Sequence, residues 1–308
     1  VRDLGPGVLH GWQDRASLAA GIVGQILPVP RVVMSARNMR PELRRDQRLQ
    51  DSHALFRQLA LTEGTVLTVN SEAGARDYDS WLDLPSGTSL AVRNGVDMAA
   101  FPPLPRHPRA IVGKASARPV EVLGVFRLAA NKRPILWLET VAELRRRLPF
   151  PIRPRIVGSG PFLARILAAK DGLGLPDLIV EKNLTSMQEI YASAGLLVLL
   201  SRVEGTPNVV IEAQACGLPV AACNVGGVAE ALCHTGAAAG LLLEAEISAG
   251  EAAERIADWL PGALAADPRQ RRAFVSGVYG MDVLAKRTLD AYWAPAGGNS
   301  GTGSDAAR

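Results

Sequence analysis

The 308-residue sequence has few cysteines, few histidines and little net charge. Its three cysteines, Cys216, Cys223 and Cys233, are too few and too irregularly spaced for a disulfide framework. We therefore expect reduced thiols and a cytoplasmic protein. The four histidines are scattered, and no spacing of Cys and His matches a common zinc pattern, so we expect no metal site.

Long apolar runs are also missing. No stretch approaches the roughly 20 apolar residues that cross a bilayer, and the first residues show no signal peptide. Hydrophobic residues make up 48% and charged residues 21% of the chain, which excludes a disordered or fibrous class. The length predicts about two domains. Because the chain does not begin with Met, we expect that it starts inside a longer protein.

Positive charge is concentrated in one segment, although the net charge is only +4. Residues 31–48 contain six arginines against Glu42 and Asp46. The arginines are Arg31, Arg37, Arg40, Arg44, Arg45 and Arg48. The segment is either a solvated face or a surface for anionic lipid or phosphate-bearing substrates. No aromatic residues alternate with the arginines, which argues against nucleic acid as a partner.

Short β-rich runs alternate with helical patterns through the second half of the chain. The run "LLVLL" at 196–200 is apolar at every position, as in a strand buried on both faces. The alternation predicts βαβ units and a parallel sheet covered on both sides. We predict strands at 121–126, 154–158, 177–181, 196–200, 219–222 and 240–243. We predict helices at about 134–148, 161–170, 186–193, 207–216, 226–233 and 249–259.

The first half shows the same alternation with fewer elements. We predict strands at 7–10, 31–36, 65–70 and 89–94, with helices at 14–26 and 71–84. Four strands are few for a comparable lobe, so we expect the amino-terminal lobe to be incomplete. The proline-rich stretch 101–119 predicts the domain boundary. The predicted domains are a partial lobe at 1–110, a complete lobe at 111–277, a terminal helix at 278–293 and a disordered tail at 294–308.

Two glutamates eight residues apart lie in the segment "EGTPNVVIEAQACG". Thr206 is a good N-cap and Pro207 suits the first position of a helix. Gly217 then ends that helix. Glu204 is thus predicted on the loop before the helix, and Glu212 more than one turn inside it. The two carboxylates therefore do not share one helical face.

The start of this helix is a candidate anion site. The backbone N–H groups of Asn208 and Val209 belong to its first turn, at the carboxyl end of a predicted central strand. Ligands of open parallel sheets bind at that edge. Arg127 and Lys132, in "GVFRLAANKRP", lie on another loop at the same edge. Their convergence predicts a phosphate site.

Two further motifs lie at this edge. The turn "VGSGP" at 157–161 contains Gly158 and Gly160, which fit either a tight turn or the close approach of a nucleotide to the backbone. The segment "TSMQE" predicts a helix start with a capping box between Ser186 and Glu189.

These motifs, in this order, resemble the carboxyl-terminal half of glycosyltransferase family 4. The segments that carry the resemblance are "GVFRLAANKRP", "VGSGP", "EGTPNVVIEAQACGLPV" and "NVGGVAE". In the first half, "VLHGWQDRASLAAGIVG" and "PRVVMSARNMRPE" resemble the bacterial branch that makes capsular and other surface polysaccharides. The resemblance covers about 7–293. It implies an α/β GT-B fold with two Rossmann-like doubly wound lobes, the amino-terminal one incomplete.

The resemblance also implies an activity. It implies transfer of a sugar, with retention and without a metal or other cofactor, from a nucleotide-diphosphate sugar to a polysaccharide or lipid-linked acceptor. Arg127 and Lys132 bind the donor diphosphate, Glu204 the transferred sugar and Glu212 the ribose. The donor-binding set further contains Gly205, Thr206, Pro207, Asn208, Val209, Gly158 and Gly160. Peripheral contact with an anionic inner membrane surface is a further expectation.

The sequence departs from the family pattern in two respects. The family's glycine-rich loop, on the first strand of the amino-terminal lobe, is not in this sequence, and we expect it upstream of Val1. The second departure is a single position. Many members have a histidine where this chain has Ala36, followed by Arg37 and Asn38. His10, one strand earlier, is either a local substitute or a structural histidine. Asp77 and Asp79 form an Asp-x-Asp pattern inside a predicted helix, where they point apart, which disfavours a metal site.

Two other functions remain open at this point. A sugar-nucleotide epimerase would share the GT-B architecture, although the spacing of the glutamates argues against it. A nucleotide-sugar-binding module without turnover is the other alternative.

Overall fold

A computed structural model of the chain describes residues 2–44, 52–103, 119–182 and 186–293. The chain divides into two compact units. Unit 1 comprises residues 1–94 and 284–308, and unit 2 comprises residues 95–283. The chain thus changes units at residue 94, earlier than the boundary predicted near 110. Residues 104–118 of the proline-rich stretch, and the predicted tail at 294–308, lie outside the described residues.

Unit 1 is built on a four-stranded parallel sheet in the order β1-β2-β3-β4. Its strands are β1 (Val8–Trp12), β2 (Arg31–Ala36), β3 (Thr65–Val69) and β4 (Leu90–Ala91). Its helices are α1 (Asp14–Ile26), α2 (His53–Ala60) and α3 (Glu72–Trp81). Three of the predicted strands and the two predicted helices are confirmed, the strand predicted at 89–94 is present only as Leu90–Ala91, and α2 was not predicted from the sequence. Ser71 is the N-cap of α3, and its side chain accepts a hydrogen bond from Gly74 N at 3.0 Å.

Unit 2 is built on a six-stranded parallel sheet in the order β10-β9-β8-β5-β6-β7. Its strands are β5 (Val120–Val125), β6 (Ile152–Val157), β7 (Ile179–Glu181), β8 (Leu196–Leu199), β9 (Val220–Cys223) and β10 (Leu241–Leu243). Its helices are α4 (Pro134–Arg147), α5 (Leu163–Ala169), α6 (Met187–Ser193), α7 (Asn208–Ala215), α8 (Val228–Ala231), α9 (Ala249–Ala265) and α10 (Pro268–Tyr279). Every predicted strand of this half is confirmed, with ends that differ by at most two residues.

The core of unit 2 surrounds β8, the all-apolar strand. All four of its residues are at most 1% exposed. Trp137 of α4 is fully buried and donates its indole N–H to Val198 O at 3.1 Å. This combination of a buried strand and helical cover is what the parallel sheet requires.

One further helix, α11 (Met281–Trp293), ends the described chain. Its part from residue 284 onward belongs to unit 1. Ala291 packs there with Val33, Val66 and Val92 in one buried cluster. Among the described residues, no helix is long and apolar enough to cross a membrane.

Candidate active site

The strand order of unit 2 defines where a ligand would bind. The chain builds outward from β5 in one direction to β6 and β7, and in the other to β8, β9 and β10. The carboxyl ends of β5 and β8 therefore flank the topological switch point, the usual ligand crevice of such sheets. The loops that follow these strands hold the predicted residues Arg127, Lys132 and Glu204.

The structure brings two of these residues into contact. Lys132 Nζ lies 2.5 Å from Glu204 Oε1, and the two side chains are 19% and 9% exposed. The 72-residue separation in sequence gave no indication of this pair. The ammonium and the carboxylate thus lie side by side at the switch point, one on each loop.

A second basic residue, Arg133, holds the two loops together. Its Nε donates to Leu200 O at 2.5 Å, and its Nη2 donates to Ser201 O and to Cys223 Sγ, both at 3.2 Å. The side chain is buried, and a backbone bond from Arg202 N to Asn131 O at 2.8 Å adds a further link. Arg133 thereby fixes the loop of its neighbour Lys132 against the end of β8.

Sequence reasoning missed Arg133, although its backbone is unusual. It has φ 48° and ψ 53°, in the left-handed region, directly before Pro134 at the start of α4. A left-handed conformation costs a non-glycine residue about 1–2 kcal/mol, so the contacts of the guanidinium must hold the residue there. The run Lys-Arg-Pro before a helix was the available signal.

Replacing Arg133 by glycine tests whether the contacts of the guanidinium hold this residue in the left-handed conformation. Glycine relieves the left-handed backbone but removes hydrogen bonds from a charged donor, each worth about 1.5–3 kcal/mol. We expect Arg133→Gly to lower the melting temperature of the protein in thermal unfolding. Asp83→Gly is the matched control, because Asp83 also has a positive φ, of 49°, and is exposed; it should be neutral or stabilising. An Arg133→Gly variant as stable as the wild type would contradict the role assigned to the guanidinium.

The helix α7 places the two glutamates apart, as predicted. Glu204 lies on the loop before the helix and Glu212 in its second turn. The helix begins one residue later than predicted, so that Pro207 rather than Thr206 occupies the N-cap position. The Pro207 carbonyl accepts from Val210 N and Ile211 N at 3.1 and 3.4 Å. The predicted phosphate-capping residues Asn208 and Val209 are the first two residues of α7.

The end of α7 follows the prediction. Cys216 is the C-cap, and Gly217 follows with φ 92°. A side chain there would also meet Pro268, since an added Cβ would lie 2.6 Å from the Pro268 Cβ. Glycine is therefore required both by the backbone and by the packing of α10.

The loop before α7 is buried and tied to its surroundings. Glu204 and Thr206 are 7% and 6% exposed, and Gly205 and Pro207 are buried as well. Gly205 O accepts from Gly227 N at 2.9 Å, which joins this loop to the "NVGG" segment. The predicted donor-binding loop is thus a rigid part of unit 2.

Glu212 has a partner that the sequence did not indicate. Tyr191 of α6 donates its hydroxyl to Glu212 Oε2 at 2.8 Å. Burial raises the pKa of Glu212 above its usual 4.5, and the hydrogen bond from Tyr191 lowers it in part. Glu212 also lines a cavity of about 110 Å³ together with Gly95, Val96, Asp97, Phe101, Asn208 and Ile211.

The raised pKa of Glu212 predicts a pH-dependent stability. Since the folded state holds the proton more tightly than the unfolded state, the stabilisation is present below about pH 4.5 and is lost as the pH rises. We expect Glu212→Gln, which keeps an acceptor for Tyr191, to raise the melting temperature at pH 7 and to have no effect at pH 4. The exposed Glu254→Gln is the control. Equal effects of Glu212→Gln at both pH values would contradict the prediction.

A larger cavity lies beside Arg127. It has a volume of about 360 Å³ and brings together three predicted residues, Arg127, Gly158 and Val209. Its other lining residues are Val125, Phe126, Val157, Ser159 and Met187. Loops after β5 and β6 and the first turn of α7 therefore surround one space at the switch point.

The glycines of the "VGSGP" turn serve the packing of the chain itself. An added Cβ on Gly158 would lie 1.9 Å from Phe126 O, and one on Gly160 would lie 2.5 Å from Leu128 O. Leu128 N donates to Ser159 O at 2.9 Å and fixes the turn against the β5 loop. The backbone of residues 126–128 therefore already makes the close approach to this turn that was expected from a nucleotide.

Two further sequence predictions concern the helix cap at Ser186 and the Asp-x-Asp pattern of Asp77 and Asp79. The capping box at Ser186 was wrong, because the Ser186 hydroxyl donates to Gln188 Oε1 instead of accepting a backbone bond. Asp77 accepts from Arg40 N, and Asp79 from Gly87 N and Ser89 N, each at 2.8 Å, so both carboxylates have structural roles. In the part of the chain that the structure describes, no group of three His, Cys, Asp or Glu side chains could hold a metal.

Comparison with known proteins gives a family model and several relatives. The model described as glycosyl transferases group 1 matches residues 112–274. The Vi polysaccharide biosynthesis protein VipC/TviE of Salmonella typhi is 29% identical over 241 residues, which are 77% of this chain and 41% of that protein. A D-inositol 3-phosphate glycosyltransferase of Corynebacterium urealyticum is 28% identical over 265 residues, with coverages of 80% and 61%. The chain thus spans about half the length of these curated relatives.

Solved structures show the same architecture. HepE of Anabaena in complex with UDP superposes with a TM-score of 0.76 at 17% identity, over 93% of this chain and 78% of that one. The apo form of the lipopolysaccharide outer core galactosyltransferase WaaB gives a TM-score of 0.72 at 15% identity, over 95% and 76%. These likenesses show that the two parallel-sheet units form a GT-B fold, as expected from the sequence.

Proposed function

We propose that the complete protein transfers a sugar from a nucleoside diphosphate sugar to a glycan, because the chain belongs to the glycosyl transferases group 1 family. The observation that carries the proposal is the convergence at the switch point of unit 2. The Lys132–Glu204 pair and the cavity shared by Arg127 and Val209 lie at the ends of β5 and β8. Cations, a helix N-terminus and two carboxylates are what a nucleoside diphosphate sugar requires.

The roles of the side chains follow from the bond that breaks. The leaving diphosphate gains negative charge as the glycosidic bond opens, and Arg127, Lys132 and the start of α7 stabilise that charge. Glu204 accepts hydrogen bonds from hydroxyls of the transferred sugar. Because Lys132 contacts Glu204 directly, the pair links the sugar end of the donor to its diphosphate. Glu212, held by Tyr191, accepts from the ribose hydroxyls.

The donor class has support from the solved relatives. HepE has been described in complex with UDP, with UDP and glucose, and with UDP-glucose. We propose a nucleoside diphosphate sugar for this chain on the same grounds. Calorimetric titration of the complete protein with UDP, GDP and ADP tests the donor class, and the absence of binding by all three would contradict it.

The stereochemistry and metal dependence are proposed from the resemblance to glycosyltransferase family 4. We expect the product to retain the anomeric configuration of the donor, and transfer to continue in the presence of EDTA. Proton NMR of the product reads the anomeric configuration. An inverted product, or an activity abolished by EDTA and restored by Mg²⁺, would contradict this part of the proposal.

The acceptor is proposed to be a growing polysaccharide or a lipid-linked saccharide. VipC/TviE, to which the chain is similar, is named for the biosynthesis of a polysaccharide. The alternative of an epimerase is tested by incubating the protein with the donor alone, because an epimerase needs no acceptor. A binding module without turnover would bind the donor and transfer nothing.

Contact with an anionic membrane is a separate proposal for the arginine-rich segment. Arg44 is 5% exposed and bonds to Asp14 at 2.7 Å, and Arg40 pairs with Asp77. These two arginines are thus paired with carboxylates of unit 1, whereas Arg45 and Arg48 lie outside the described residues. Co-sedimentation with acidic vesicles, before and after charge reversal of the arginines in the segment 31–48, tests the proposal. Unchanged binding would overturn it.

A further inference from the structure

The carboxyl ends of the four strands of unit 1 meet around Arg37. Arg37 directly follows β2, and its Nη1 donates to Val92 O, just beyond β4, at 3.1 Å. Its Nη2 donates to Asn94 Oδ1. Its own carbonyl accepts from the side chain of Asn70, just beyond β3, at 3.0 Å. The guanidinium thus lies at the sheet edge where ligands of parallel sheets bind.

Arg37 differs from the two arginines that follow it in its counter-charge. Arg40 pairs with Asp77 and Arg44 with Asp14. Within the residues that the structure describes, Arg37 forms no salt bridge with a carboxylate, and its side-chain acceptors are both neutral oxygens. Burial lowers the pKa of Arg37 from 12.5 to about 10. A desolvated cation of this kind gains most from an added anion.

An aromatic surface lies directly beside this cation. The Arg37 guanidinium carbon is 4.4 Å from the ring centre of Trp12, the last residue of β1. Trp12 is 43% exposed, so part of its indole faces solvent. An indole face contacts the C–H face of a sugar, and a guanidinium binds a carboxylate or phosphate through paired hydrogen bonds.

The neighbouring histidine supports this surface without adding charge. His10 Nε2 lies 2.7 Å from Ser35 Oγ and its Nδ1 lies 3.0 Å from Tyr292 Oη. Burial, followed by the charge of Arg37, lowers the pKa of His10, which favours the neutral ring. Both ring nitrogens have partners inside unit 1, so His10 fixes the end of β1 and the position of Trp12.

We propose that Arg37 and Trp12 form a site in unit 1 for an anionic saccharide, a sugar that carries a carboxylate or a phosphate. The inference rests on the proposed function in one respect, since a glycan acceptor explains why unit 1 would bind sugars. The acceptor of this enzyme is then acidic, and Arg37 selects it against neutral glycans.

The test measures binding to the complete protein by calorimetry, with saturating UDP to occupy the donor site. The probes are trigalacturonic acid, neutral maltotriose and glucose 1-phosphate. We expect trigalacturonic acid or glucose 1-phosphate to bind at least about 10-fold more tightly than maltotriose. This is the difference in affinity expected for one hydrogen bond to a charged group. Whichever of the two binds more tightly identifies the anionic group as carboxylate or phosphate.

Variants then assign the preference to the site. Arg37→Gln should remove it, and Trp12→Ala, at an exposed position, should weaken binding of the acidic probe about 10-fold. Arg287→Gln, at an exposed arginine of α11 in unit 1, is the control and should change nothing. Equal affinity of all three probes, or a preference unaffected by both Arg37→Gln and Trp12→Ala, would overturn the proposal. Because UDP binding is measured in the same samples, this outcome is distinguishable from a failure of the proposed function.

Discussion

Replacing Lys132 by alanine is expected to lower kcat of the complete protein by about 10²–10³-fold, the usual effect of removing one preorganised donor to a developing negative charge. The same loss is expected for Arg127→Ala. Lys182→Ala and Arg146→Ala are the matched controls, because both side chains are exposed on unit 2. Initial rates of sugar transfer at saturating donor check the expectation.

The contact between Lys132 and Glu204 complicates the interpretation of the Lys132→Ala variant. Removing the ammonium leaves a carboxylate that is only 9% exposed without its cation, and breaking such a pair is destabilising. The double variant Lys132→Met, Glu204→Gln removes both charges at once. We expect it to recover the melting temperature lost by Lys132→Ala but not the activity. A double variant with near-normal turnover would show that the pair is structural only.

The second large effect concerns the different parts of the donor that Glu204 and Glu212 bind. Glu212→Gln is expected to weaken binding of a nucleoside diphosphate and of its sugar conjugate alike, by about 10–100-fold, as for the loss of a hydrogen bond to a charged group. Glu204→Gln is expected to leave binding of the nucleoside diphosphate unchanged and to weaken only the sugar conjugate. Calorimetric titrations with UDP and with UDP-glucose, or with the pair that the donor screen selects, provide the measurement.

The expected outcome depends on the positions of the two side chains. Glu204 contacts Lys132 on the loop before α7, whereas Glu212 contacts Tyr191 and lines the cavity with Asn208. If both variants weakened the free nucleoside diphosphate to the same degree, the two carboxylates would not contact different ends of the donor. Because Glu212→Gln is expected to stabilise the protein at pH 7, weaker binding by this variant would not be explained by unfolding.

Much of unit 2 could be predicted because its strands are local apolar runs. The segment "LLVLL" predicts a doubly buried strand, and β8 is one. Helix ends were less predictable where burial outweighs local preference. The helix α9 was predicted to end at 259, yet it continues through Pro261 to Ala265, because Leu260, Ala263 and Leu264 are buried. The missed α10 did have a signal, since Asp267 caps it and Pro268 is its first residue.

The candidate site was predictable in its parts and not in its contacts. The strand–loop–helix pattern placed Arg127, Lys132 and Glu204 at one sheet edge, because parallel strands end together. The Lys132–Glu204 pair and the contacts of Arg133 with β8 are tertiary. They join segments about 70 residues apart, and no local pattern encodes them. Arg37 was counted as part of a basic segment, and only the structure separates it from Arg40 and Arg44.

The central claim is that the switch point of unit 2 binds the nucleoside diphosphate part of the donor. A structure of the complete protein with a bound nucleoside diphosphate sugar tests it most directly. We expect the diphosphate to lie within hydrogen-bond distance of Arg127, Lys132 and the first turn of α7, with Glu212 on the ribose and Glu204 on the sugar. A diphosphate that contacts neither Arg127 nor Lys132 would contradict the proposed donor site.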